Sequence, residues 1–98
     1  MKFHLLVREE AEDDLRRAFE WYEARRDGLG DEFLLCVEAV FQSIRRQPAL
    51  YAVVHRTVRR ALCRRFPYGI FYVIAGDAVV VLAVLNCQRD PSEWRGRA

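Results

Sequence analysis

Two apolar runs constrain this chain more than any other feature: GIFYVIA, residues 69–75, and AVVVLAVLNC, residues 78–87, separated only by Gly76-Asp77. β-Branched and aromatic residues dominate both, and the Gly-Asp pair suits a tight hairpin turn. Neither run alternates with polar residues, so the predicted strands are apolar on both faces and the fold has to cover both.

The segment before them, TVRRALC at residues 57–63, does alternate. It places Val58, Arg60 and Leu62 on one face and Thr57, Arg59, Ala61 and Cys63 on the other, so the two arginines point opposite ways. A short N-terminal strand fits KFHLLVR at residues 2–8, where Phe3, Leu5 and Val7 alternate with more polar neighbours and His4 is expected to be exposed.

Between these strands the period changes to that of a helix. Ala11, Leu15, Ala18, Phe19 and Tyr22 recur at helical spacing, acidic residues crowd the first turns, Arg25 and Arg26 are placed near the end, and Asp27-Gly28 stops the helix. Phe33, Val37, Val40, Phe41 and Ile44 form a second stripe, closed by Arg45, Arg46 and then Pro48. The short linker around Gly28 to Gly30 makes the pair an antiparallel hairpin. The expected fold is α+β, in the order β-α-α-β-β-β, with residues 1–98 as one domain.

Two helices cover one face of such a sheet. Phe71, Val73 and alternate positions of residues 79–85, or the opposite set, then need other cover. The segment from Pro48 to Arg56 and the C-terminal tail can supply it, and so can a docked partner peptide.

A chain of 98 residues has room for one core and none for a Rossmann-type cofactor fold. The net charge of +2 is unevenly spread: residues 1–49 carry 8 Lys/Arg against 11 Asp/Glu, and residues 50–98 carry 8 against 3. Cys36, Cys63 and Cys87 lack metal-ligand spacing and read as small buried apolar residues; no apolar run follows a basic N-terminus. A reduced cytoplasmic setting, with no membrane contact, is the expectation.

No metal or cofactor is expected. His4 and His55 have no ligand pattern around them, there is no HExxH, GxSxG or phosphate-cradling loop, and Glu9, Glu10, Glu12, Asp13 and Asp14 sit where helix electrostatics favours acids. The basic group Arg56, Arg59, Arg60, Arg64 and Arg65 suits phosphates or carboxylates. Cleavage of RNA through its 2′-hydroxyl also needs groups that accept and return protons. Lys2 is the only lysine, CQRDPSEWRGRA contains neither His nor Tyr, and arginine holds its proton too tightly, so no catalytic residue is assigned.

The order strand, helix hairpin, three strands, together with DDLRRAFEWYE, QPALY, RRALCRRFPYGIFYVI and VVVLAVLNCQRDPSEW, resembles the RelE/ParE superfamily of type II toxin-antitoxin systems. The likeness spans essentially the whole chain and is greater to the ParE branch. It implies a cytoplasmic toxin neutralised by a cognate antitoxin, with DNA contacted mainly through that antitoxin. The ParE branch implies a poison of DNA gyrase; the RelE branch implies a ribosome-dependent mRNA endonuclease. A toxin-like module retained only for regulatory binding is the third reading. RelE-type toxins commonly carry a Tyr or His near the C-terminus, for which this chain has no clear counterpart, and Asn86 stands where related third strands frequently end in His.

The candidate contacts with target or antitoxin are therefore Arg56, Arg59, Arg60, Arg64, Arg65, Tyr68, Asn86, Arg89 and Trp94. Asn86 donates and accepts hydrogen bonds without titrating near neutrality. Trp94 either packs the tail onto the helices or is an exposed binding anchor.

Overall fold

A computed structural model describes residues 2–98. Strand β1, His4–Val7, leads into helices α1, Glu9–Glu23, and α2, Leu29–Arg46. Then come β2, Val53–His55, β3, Val58–Leu62, β4, Tyr68–Ala75, β5, Ala78–Asn86, and a short helix α3, Ser92–Arg95. The five strands form one sheet in the order β1-β5-β4-β3-β2. β1 pairs parallel to β5 while the other pairs are antiparallel, so the sheet is mixed.

The expected helical hairpin and three long strands are present, with three local corrections. The first helix ends at Glu23, earlier than the charge pattern suggested, because the chain must turn towards α2. Arg25 and Arg26 lie in that turn, and Glu23 caps the start of α2 by accepting hydrogen bonds from the N–H groups of Gly28 and Gly30, both at 2.9 Å. Gly30 is required by packing: a Cβ there would fall 2.7 Å from the Phe19 ring and 2.8 Å from the Phe19 carbonyl oxygen.

The segment after Pro48 is not simply a loop. It contains a 3-10 turn, Pro48–Leu50, and the short strand β2 at the sheet edge. Tyr72 holds this segment by donating its hydroxyl to the Pro48 carbonyl at 2.6 Å.

The third correction concerns the faces of β5. Phe71 opposes Ala83 and Tyr72 opposes Val81, which leaves Leu82 as the extra residue of a β-bulge. The bulge resets the alternation. Val79, Val81 and Val84 join Ile70 and Tyr72 beneath the helices, whereas Leu82, Ala83 and Leu85 join Val58 and Phe71 on the outer face. Regular alternation through residues 79–85 fails because two successive residues share one side.

The C-terminal segment covers the outer face. Trp94 is buried against the sheet, not against the helices, and stacks on Phe71 with centroids 4.5 Å apart and an interplanar angle of 16°. Val54 and the ring of His55, both on β2, also border this cluster. Cys63 is buried and Cys36 half-buried, but Cys87 is exposed in the turn after β5, contrary to the expectation for all three cysteines. No helix among the described residues is long and apolar enough to cross a membrane.

Candidate binding surface

The nine sequence-derived candidates do not converge on one site. They divide among a basic sheet edge, a groove beside α1, and structural fastenings.

Arg60 and Arg64 help line an open groove of about 530 Å³ between α2 and β3, together with Cys36, Val40, Tyr51 and Leu62. Alternate residues of β3 direct their backbone groups away from β4. Arg60 N–H reaches Ala52 O at 3.1 Å, but β2 pairs only as far as Arg59, so the edge at Leu62 lies beyond its cover. Gly69 makes room for Arg60: a Cβ there would fall 3.2 Å from the arginine's Cγ and Cδ. Among the described residues neither Arg60 nor Arg64 has a side-chain hydrogen bond or ion pair.

The neighbouring arginines are occupied. Arg59 donates from Nη1 to the carbonyls of Ala49, at 3.1 Å, and Tyr51, at 2.6 Å, and so fastens the 3-10 turn. Arg65 and Arg26 clasp opposite oxygens of Glu32, at 2.8 and 3.0 Å. The hydrogen bond from Arg65, then that from Arg26, holds the Glu32 carboxyl below its ordinary pKa. This clasp ties the hairpin turn to the β3–β4 connection. Arg56 lies in the β2–β3 turn with φ of 52°, exposed to solvent.

Tyr68, Asn86 and Arg89 meet on the α1 side of the sheet, at the same strand ends as Leu62. They line a groove of about 560 Å³ with Asp14, Arg17 and Trp21 of α1. Tyr68 and Asn86 are cross-strand partners, and Asn86 Oδ1 accepts the Gln88 N–H at 2.9 Å, which orders the turn leaving β5. Arg89 is held by Glu93, with Nη2 to Oε2 at 2.7 Å and Nε to Oε1 at 3.1 Å. Burial pushes the Tyr68 hydroxyl above its ordinary pKa, which makes it a poor base near neutrality. The chemistry on offer is hydrogen bonding, guanidinium charge and aromatic surface. Trp94 lies away from this groove on the outer face, and its burial requires the tail to move before it meets any partner.

Sequence reasoning missed Trp21, Arg17 and the role of Asp14. Trp21 is an aromatic outside the buried stripe, and 52% of its surface is exposed. Asp14 falls between Ala11 and Ala18 on that stripe, so helical spacing marked it as buried even though composition grouped it with the surface acids. It accepts the Val84 N–H at 3.0 Å and the guanidinium of Arg97, from Nη1 at 2.6 Å and Nη2 at 3.2 Å. Arg97 also donates to Leu82 O at 3.1 Å. The pair therefore satisfies backbone groups of β5 beyond the reach of β1 and anchors the tail.

The structure superposes on the chromosomal ParDE toxin-antitoxin system from P. aeruginosa with a TM-score of 0.75, at 14% identity, over 87% of this chain and 96% of that one. The toxin-antitoxin complex RelBE2 from Mycobacterium tuberculosis gives a TM-score of 0.61 at 21% identity, over 88% of this chain and 99% of that one. At these identities the likeness is one of fold. In sequence the chain is 31% identical over 93 residues to Toxin ParE2 of Mycobacterium tuberculosis, in strains CDC 1551 / Oshkosh and H37Rv, covering 94% of this chain and 89% of the relative. The family model described as ParE toxin of type II toxin-antitoxin system, parDE, matches residues 5–91. The chain therefore belongs to the ParE family and is the toxin component of a type II toxin-antitoxin system.

Proposed function

We propose that this toxin acts in the cytoplasm by binding DNA gyrase so that cleaved DNA accumulates, and that a cognate antitoxin neutralises it by direct association. The observation that carries this reading is the family match across residues 5–91. The surface chemistry supports it: Arg60 and Arg64 stand unpaired beside an apolar groove, a combination suited to gripping a protein or a phosphate backbone. Asn86 at the end of β5 supplies hydrogen bonds without a proton to transfer near neutrality.

The test is supercoiling by purified gyrase with the purified toxin added, following both relaxed product and trapped cleaved DNA. Inhibition accompanied by broken DNA is expected, with R60A/R64A reducing both while the fold is retained. A well-folded toxin that leaves gyrase unaffected overturns the gyrase assignment and makes cleavage of ribosome-bound message the next assay.

A further inference from the structure

α1 presents a rigid, exposed aromatic at the rim of the groove that contains Arg89. Trp21 packs edge-on against Tyr22, with centroids 5.1 Å apart, and Arg25 lies over its other surface with the guanidinium carbon 3.6 Å from the ring centroid. Both neighbours fix the indole while half of it remains exposed. Such an aromatic costs little ordering entropy when it binds, which is the property of an interface anchor.

The charge around it has one dominant sign. Arg17 lines the groove and stands 3.9 Å from Asp14, beyond hydrogen-bonding distance, with its side chain 65% exposed. Asp14 is already satisfied by Arg97 and the Val84 N–H, so the acidic member of the groove is neutralised from within. Arg89 also has its guanidinium at the groove, and the group it holds is a carboxylate, that of Glu93. That internal pair demonstrates the geometry in which an external carboxylate would bind: Glu93 is partly exposed on α3, next to the buried Trp94, so its carboxylate can turn to solvent while the helix stays docked.

We propose that the groove between α1 and the β4–β5 end receives an acidic segment of the antitoxin, which seats an apolar side chain against Trp21 and carboxylates on Arg17 and Arg89. This rests on the reading that an antitoxin neutralises the chain by direct association, and it assigns where and by what chemistry. Glu93 then acts as an internal competitor for Arg89. The groove differs from the β3 edge, where exposed backbone groups and Leu62 favour contact with an extended chain.

The test titrates the purified toxin with two probes, the antitoxin protein co-expressed with it and a synthetic peptide rich in Glu and Leu. W21A is expected to weaken antitoxin binding about tenfold or more, and R17A and R89A several-fold each, with a shallower salt dependence. E93Q, which frees Arg89, is expected to tighten binding of both probes about two- to fivefold at low salt. R46A, at the far end of α2, serves as the charge control. Trp21 and Arg89 are half exposed and Arg17 more so, so the fold survives these changes, and thermal unfolding verifies it.

If the wild-type toxin forms the complex and W21A, R17A and R89A match its affinity, the groove assignment is overturned while direct neutralisation stands. If the wild-type toxin forms no complex with the antitoxin, neutralisation by direct association itself falls. Saturable binding of a single-stranded oligonucleotide that W21A abolishes, without peptide competition, overturns the acidic-segment assignment in favour of nucleic acid.

Discussion

The two faces of the sheet are apolar to a similar degree but are covered in different ways. Beneath the helices, Phe33, Val37 and Ile44 from α2 and Ala11, Ala18 and Tyr22 from α1 pack onto Ile70, Tyr72, Val79, Val81 and Val84. The rings of Tyr22, Phe33, Phe66 and Tyr68 interlock with centroid separations from 4.8 to 6.0 Å. Every large side chain there has several neighbours from different elements. On the outer face, Val58, Phe71, Leu82, Ala83 and Leu85 share one large cover, Trp94, delivered by a four-residue helix. Redundant cover makes the first face the folding core; one large apolar cover, on a tail held otherwise by the Arg97–Asp14 pair, makes the second a face that local motion can expose.

The largest predicted effect breaks the redundant side. F33A removes a ring that is fully buried and touches Tyr22, Phe66 and Tyr68, so it should cost about 3–5 kcal/mol of global stability by denaturant titration. W94A removes a comparable area but lets the tail undock before the rest unfolds, so it should cost only about 1–3 kcal/mol globally. Native-state hydrogen exchange separates the two. W94A should release residues 89–98 and leave α1 and α2 protected, whereas F33A should lower protection throughout. Equal loss of protection in both helices and the tail of W94A would show that the faces form one cooperative unit.

The helix-covered face was the more legible in sequence because it is written in periodicity. Ala11, Ala18, Tyr22, Phe33, Val37 and Ile44 recur at helical spacing, and burial follows that spacing. The outer face was legible only as a need for cover. Two features hid the solution: the bulge at Leu82, which depends on pairing with Phe71 and Tyr72, and the stacking of Trp94 across a sequence separation that no local pattern records. The candidate surface divides in the same way. Arg60 and Arg64 were visible as an arginine run, but that run did not show that Arg59 and Arg65 are tied to Tyr51 and Glu32. Trp21 was obscured by standing beside a genuine core aromatic, Tyr22, although its position off the apolar stripe marked it as different.

The smallest predicted effect sharpens the comparison through pH. Burial, aided by proximity to Cys36 and Cys87, pushes the Cys63 thiol from 9.0 up to about 11, and burial pushes the Tyr72 hydroxyl from 10.0 up to about 12. Both groups pack on the helix-covered face, while the buried cluster of the outer face is wholly apolar. In each case the folded state holds the proton more tightly than the unfolded chain. The stability contributed by that preference is therefore fully present below the unfolded pKa and is lost as pH rises through the folded one. For Cys63 that window runs from 9.0 to about 11, and for Tyr72 from 10.0 to about 12. C63A should lower stability modestly at neutral pH by leaving a small void, yet flatten the decline between pH 9 and 10, where Tyr72 has scarcely begun to contribute. Chemical denaturation across this range measures the slope. A slope unchanged by C63A would mean that the thiol ionises as readily in the folded core as in the unfolded chain, and that the helix-covered face is more open to water than its packing indicates.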